Sequence, residues 1–417
     1  MSSMKRHRIG IAAVAVAACL AMTACGGSAS DDGTSTIRFM GHSGLQESLD
    51  PIIEEFEKAH PDITVEAEYS PAGPTYGQTL VTQVQAGNAP DVFYTNGGDG
   101  ATESLLPMAE AGQLLDLSDE DWVSNIPEEA KDLYQVDGRT YGLLMDEAPH
   151  GILYKVSTWD ELGIEVPTTY DEVLDICATA RANDKYAIAL PGQNSGIAVE
   201  TMAASLVLSQ DPEWNTSFAA GDATFSDTEG WVTTMQRVEE MAGAECFQPG
   251  AASAQTADQN SALTSGQALM AIAPSGTITS IADGRPEEWA MAPFPGDSVE
   301  DTRLVVGYQD GLAASADTES PEAVREFLAF IADEGASTRA EISGTISLAD
   351  AREGALSTSL EGLTSAYEDG RTVSRLHDTW SGGGVFSALS TATAAVVSGQ
   401  SSVEDALADV DATPLGG

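Results

Sequence analysis

Short apolar runs alternate with helix-patterned stretches along this chain, and that alternation limits the fold more than any other feature. Ile37 and Phe39 alternate with polar neighbours, which predicts a strand over Thr36–Met40. Leu49, Ile52, Ile53 and Phe56 then recur at helical spacing. That helix is expected to end at His60-Pro61, because proline disfavours helical backbone in the residue before it. Ile63–Tyr69 reads as a second strand, Gln78–Ala86 as a helix closed by Gly87, and Pro90–Tyr94 as a short buried strand. Thr169 and Glu172 form a capping box that opens a helix over Tyr170–Arg181. Ser320-Pro321 opens another, whose apolar stripe is Val324, Phe327, Leu328 and Ile331. Phe386–Val397 and Val403–Val410 supply the last helices. Strand, helix, strand order predicts an α/β class with parallel sheets covered on both faces. A length of 417 residues allows two or three folded units, and 42% hydrophobic residues are enough to build their cores.

The charge balance excludes one class of partner. Sixty-five acidic residues face 18 basic ones, for a formal net charge of −47, so a nucleic-acid backbone would be repelled. The acidity itself reads as solubility and a salty or cell-wall environment. The N-terminus is the exception. Lys5, Arg6 and Arg8 precede the apolar run Ile9–Ala24, and Met22-Thr23-Ala24-Cys25 leads into Gly26-Gly27-Ser28. A basic head, a short apolar middle and a small-residue exit describe a secretory signal over residues 1–24 rather than a membrane span. The exit resembles the lipobox of bacterial lipoproteins, with Met22 where leucine is usual. The resemblance implies cleavage before Cys25, lipidation of that residue, and a tether over residues 25–35 on the outer face of the cytoplasmic membrane. After that removal only Cys177 and Cys246 remain. An exported protein can join them, yet Cys177 also fits plain core filling beside Val173, Ile176 and Ala180.

Five ordered stretches carry a further resemblance: "IIEEFEKAHP" at Ile52–Pro61, "LVTQVQAGNAPDVF" at Leu80–Phe93, "YGLLMDEAPHGILYKVSTWDELGIEVP" at Tyr141–Pro167, "LTSGQALMAI" at Leu263–Ile272, and "VVGYQDGLAAS" with "SPEAVREFLAFI" within Leu304–Ile331. The closing "SGQSSVEDALADV" belongs to the same set. The chain resembles extracellular sugar-binding proteins of ABC importers, the solute-binding family that includes maltose-binding proteins. The resemblance implies two α/β lobes joined by hinge crossings, the type II periplasmic-binding-protein architecture. By position, residues 36–145 with 292–333 would form the first lobe, and 146–291 with 334–417 the second. It also implies a monomer that delivers a di- or oligosaccharide to the transmembrane subunits of a permease, with no cofactor. Two departures stand out. The turn after "LTSGQALMAI" is Pro274-Ser275-Gly276-Thr277, where family members often carry tryptophan, and Gly382-Gly383-Gly384 precedes the late helix in place of an aromatic residue.

A sugar needs carboxylates and amides for its hydroxyls and aromatic rings for its apolar faces. In parallel sheets the cleft lies at the C-terminal ends of strands. The candidate ligand residues are therefore His42, Ser43, Tyr76, Asn96, Asp146, Glu147, Trp214, Ser275, Tyr308, Asp310, His377 and Trp380. Asn96, Asp146, Glu147 and His377 are expected to hydrogen-bond hydroxyls, and Tyr76, Trp214, Tyr308 and Trp380 to supply stacking surface. No His-Glu-x-x-His, Cys-x-x-Cys or Gly-Lys-Ser/Thr pattern occurs, so no metal site, cofactor or nucleotide loop is expected. A secreted glycoside hydrolase needs two opposed carboxylates, whereas Asp146 and Glu147 are adjacent. The remaining alternative is a receptor for a polyamine, peptide or metal chelate.

Overall fold

A computed structural model describes residues 34–71, 74–308, 310–380 and 384–414. The signal segment, Cys25 and most of the tether lie outside the described residues. The strands run β1 (Ser35–His42), β2 (Ile63–Ser70), β3 (Val92–Asn96), β4 (Gly142–Leu144), β5 (Ala148–Lys155), β6 (Tyr186–Ile188), β7 (Ala268–Pro274), β8 (Trp289–Ala292), β9 (Leu304–Gly307), β10 (Asp310–Ala314) and β11 (Thr372–Ser374). They build two main sheets. The first has the order β2-β1-β3-β10-β4, and the second β11-β9-β5-β7-β6 with β8 also on β5. The strands β1, β2 and β3 are parallel, while β10 runs antiparallel to β3 and β4.

The predicted elements form where their local signals place them, but the expectation of parallel sheets fails in the second sheet. There β5 runs antiparallel to β7, β8 and β9, while β6 is parallel to β7 and β11 to β9, because strand direction is set by the long-range path of the chain and not by local patterning. The first helix spans Gln46–Ala59 and buries Leu49, Ile52, Ile53 and Phe56, ending before His60-Pro61. Thr169 caps Tyr170–Ala182, with Glu172 returning the bond in a complete capping box. Pro321 opens Pro321–Ala332, whose buried stripe includes Val324, Phe327, Leu328 and Ile331. Cys177 and Cys246 are joined in a disulfide, so both are core residues and covalent partners at once.

The expected lobe limits need correction at two places. Leu304–Gly307 pairs antiparallel with β5 and so belongs to the second sheet, although the sequence reading placed residues 292–333 with the first lobe. Conversely, the helix Ala336–Ser343 packs against Gln46–Ala59, and Gly335 abuts Ile52, so residues just after 333 stay with the first lobe. An apolar run such as Leu-Val-Val-Gly identifies a strand but carries no information about which sheet receives it.

The lobes meet at a hinge of adjacent extended segments. Met145 N–H donates to the Asp310 carbonyl at 3.0 Å, and Glu147 and Ile346 exchange backbone bonds of 2.8 and 2.9 Å. One crossing runs from β4 to β5 and another from β9 to β10. These crossings leave both sheets at the ends that face each other.

Candidate ligand cleft

Topology brings specific strand ends together. β1 and β3 end, and β10 begins, at the edge of the first lobe that faces the hinge. β7 and β9 end, and β5 begins, at the opposing edge of the second lobe, with β11 parallel to β9. His42, Asn96 and Asp310 thus share one wall, and Ser275, Arg375 and His377 the other.

On the first wall Tyr94 is the organising group. Its hydroxyl lies 2.7 Å from Asn96 Oδ1 and 2.8 Å from Asp310 Oδ1, and its single proton serves one acceptor at a time. Asn96 donates through Nδ2 to Glu103 at 3.2 Å. The His42 ring stands edge-on to Tyr94 with centroids 4.5 Å apart, and its Nδ1 accepts from Gly44 N–H. Ser43 is exposed beside it. Burial holds the Asp310 carboxyl above the usual range, and the neighbouring Asp146 adds to the effect while Arg375 opposes it. That opposition places an arginine of the second lobe within electrostatic reach of the first.

The second wall holds a buried ionisable group. Arg375 donates Nε–H to Asp378 Oδ1 at 2.8 Å. Glu200 is fully buried on the helix Gly196–Val207, and burial pushes its carboxyl up to about 8. His377 Nδ1 sits 2.7 Å from both Glu200 oxygens, and the Phe386 ring lies 4.2 Å from the His377 ring. His150 is buried nearby, held neutral by burial with Arg375 and His377 adding to it. Its Nδ1, Ser275 Oγ and Asp378 Oδ2 are buried without a hydrogen-bond partner. The two walls touch. A side chain on Gly98, at φ +77°, would meet the Asp378 carbonyl at 2.7 Å, and a Cβ placed on Gly100 would lie 3.6 Å from the carbonyls of His377, Asp378 and Trp380.

The structure therefore brings His42, Ser43, Asn96, Asp310, Ser275 and His377 to the facing strand ends of the two sheets and gives other candidates protein partners of their own. Asp146 is a hinge residue: Oδ2 accepts from Arg339 Nη1 at 2.5 Å and from Thr345 Oγ1 at 2.6 Å, with Asp146 and Arg339 both buried. Glu147 lies on the same crossing. Burial pushes its carboxyl up to about 7, with Glu129 and Asp146 contributing and the Tyr367 hydroxyl opposing. Its Oε2 makes no hydrogen bond of good geometry. All four expected stacking platforms are covered by protein. Tyr76 donates its hydroxyl to the Tyr94 carbonyl at 2.8 Å from a fully buried position. Tyr308 is buried with its hydroxyl on Glu129 at 3.2 Å. Trp214 and Trp380 pack with Phe218, Phe225 and Trp231 in the core of the second lobe. Half-buried Phe386 is the aromatic ring on the second wall.

Sequence reasoning missed Glu200, His150 and Tyr94. Glu200 had a usable signal, since it is the single charge within the helix Gly196–Val207. Among the described residues, no group of His, Cys, Asp and Glu is arranged to hold a metal ion, and no helix is long and apolar enough to cross a membrane.

Two α/β lobes, a strand-crossed hinge and facing polar walls define a two-lobe solute receptor. The chain belongs to the bacterial extracellular solute-binding protein family, whose model matches residues 42–338. A multiple sugar-binding protein of Streptococcus mutans serotype c is 26% identical over 187 residues, which are 44% of this chain and 42% of that protein. The chain thus spans less than half the length of that curated relative. RafE from Streptococcus pneumoniae superposes with a TM-score of 0.72 at 20% identity, covering 91% of this chain and 97% of that one. A family 1 extracellular solute-binding protein of Bifidobacterium longum subsp. infantis gives 0.72 at 22%, covering 91% and 98%. An ABC substrate-binding protein of Listeria monocytogenes in complex with cycloalternan gives 0.69 at 20%, covering 91% and 97%. These likenesses establish the fold.

Proposed function

We propose that the protein is the substrate-binding lipoprotein of an ABC importer, capturing a neutral di- or oligosaccharide between the lobes without altering it. The observation that carries this reading is the pairing of two polar walls, Tyr94, Asn96 and Asp310 against His377, Phe386 and Ser275, at the ends of strands joined by a hinge. Hydroxyl groups supply the donors that buried carboxylates and unpartnered Ser275 and His150 atoms lack. The relatives support the ligand class: one is named for multiple sugars, and RafE has been solved with raffinose. Contacts with both lobes make closure ligand-dependent, which shifts the population towards the closed state. Cys25, outside the described residues, is proposed as the lipid-anchored N-terminus on the outer face of the membrane, and the receptor as a monomer handing its cargo to the permease.

A thermal-shift panel of raffinose, cycloalternan, a chitin oligosaccharide, a xylan-derived oligosaccharide, spermidine and a short peptide tests this. A ligand at a hundredfold excess over Kd adds about 2.7 kcal/mol to the folded state. Stabilisation by a sugar, with the sugar recovered unchanged, is expected. A shift with spermidine or peptide and with no carbohydrate assigns the cleft to another solute class.

A further inference from the structure

We propose that Glu200 is a positioning residue that fixes the His377 ring so that Nε2 faces the cleft as a hydrogen-bond donor to a ligand oxygen. The inference rests on the carbohydrate-receptor reading for its ligand, and on geometry for its mechanism.

Glu200 is 0% exposed on the helix Gly196–Val207. Its carboxyl holds His377 at two points. Both oxygens are 2.7 Å from Nδ1, and Oε2 also accepts the His377 backbone N–H at 3.3 Å. Main chain and ring of one residue are thereby fixed by one carboxyl group. Phe386 limits rotation of the ring further, with centroids 4.2 Å apart. The imidazole retains 19% side-chain exposure. Nδ1 is turned to a fully buried carboxyl, which leaves Nε2 as the ring nitrogen available to a ligand. The turn sits against the first lobe, with Gly100 facing the His377 carbonyl.

Counting protons identifies what Nε2 offers. Burial raises Glu200 to about 8 and, with Arg375 adding to it, lowers His377 to about 3, so near pH 7 the pair keeps two protons. One lies between the carboxyl and Nδ1, and the other is on Nε2, whichever partner owns the shared one. Nε2 is then a donor suited to a hydroxyl or ring oxygen. Above about pH 8 the pair loses one proton, Nδ1–H faces a carboxylate, and Nε2 becomes an acceptor. The other groups facing the pair do not supply this step. Arg375 stays charged beside Asp378 on the same turn, His150 on β5 stays neutral, and Asp310 on β10, raised by burial, couples to Arg375 and is bonded to Tyr94 on the first wall. A carboxyl that served packing alone would leave ligand affinity indifferent to its protonation.

The test uses the full chain with ring-15N-labelled histidine, in wild type and Glu200→Gln, from pH 6 to 10. His377 Nε2 is expected to carry hydrogen at pH 7 in the wild type and to lose it with a midpoint near 8, and Glu200→Gln to show no such step. In parallel, calorimetry with the four panel sugars should show wild-type affinity falling at least fivefold between pH 7 and 9.5, and Glu200→Gln changing less than twofold. Bare Nε2 in wild type at pH 7, or a pH-independent wild-type affinity, overturns the proposal without needing the variant to fold. Failure of all four sugars to bind overturns the receptor reading for those sugars, an outcome the nitrogen spectra separate from failure of the Glu200–His377 pairing.

Discussion

At the scale of single residues, the most informative contrast is between adjacent acids that look equivalent and are not. Asp146 Oδ2 accepts from both Arg339 and Thr345, and the same guanidinium also reaches the Met145 carbonyl. Removing one partner of a buried ion pair leaves the other charge uncompensated, at about 3–5 kcal/mol. Asp146→Ala is therefore expected to lower unfolding free energy by that amount in urea titrations. A loss of sugar affinity without a loss of stability would return Asp146 to the ligand. The same test applies to Trp214, whose indole N–H donates to Thr228 at 2.8 Å inside an aromatic core. Trp214→Ala should cost about 3–5 kcal/mol by leaving a cavity. Its Kd, measured where the variant remains folded, should match wild type. A tryptophan just after Asp211-Pro212 reads as a loop residue in sequence, but large aromatic side chains gain most from burial and are drawn inward by the fold.

At the scale of elements, legibility followed locality. The helix starts at Thr169 and Ser320-Pro321, and the stop at His60-Pro61, depend on residues within one turn, and all were readable. The destination of β9 depends on register with β5, more than 150 residues earlier (Val305 opposite His150), and was not. Glu200 stands out as the one charge in an apolar helix, but its role does not, because its partner lies 177 residues away. The disulfide lay between these cases. Two cysteines in an exported chain permit a bridge, but only the packing of Tyr170–Ala182 beside the segment after Glu229–Gly243 brings them together. With a sequence separation of 69, closing this loop restricts the unfolded chain substantially. Cys177→Ser with Cys246→Ser should lower unfolding free energy by about 2–4 kcal/mol. Equal denaturant midpoints for the oxidised protein and the double variant would show that the bridge adds nothing to packing already in place.

At the scale of the whole molecule, the hinge links stability to pH because it carries a buried, incompletely bonded carboxyl. Glu147 shifts from an ordinary 4.5 to about 7 in the folded protein, chiefly through burial. Below the ordinary value both folded and unfolded chains hold this proton. Between that value and about 7 the folded chain keeps it while the unfolded chain releases it, so stability declines as pH rises. Above the folded value the loss is complete, at most about 3 kcal/mol for a shift of this size. Asp310 and Glu200 act in the same direction, whereas His150 and His377, whose values are lowered, act in the opposite one. The total pH profile consequently mixes signs, and the Glu147 contribution has to be isolated by difference. Glu147→Gln removes the proton equilibrium while keeping the shape of the group. Wild type minus variant unfolding free energy, measured in urea at intervals from pH 4 to 8.5, should fall by about 3 kcal/mol across the window from the ordinary to the folded value. A flat difference would mean that the carboxyl is solvated or paired when the hinge relaxes. The same comparison with saturating sugar separates the conformations: if closure further buries the crossing, ligand moves the upper end of the window higher.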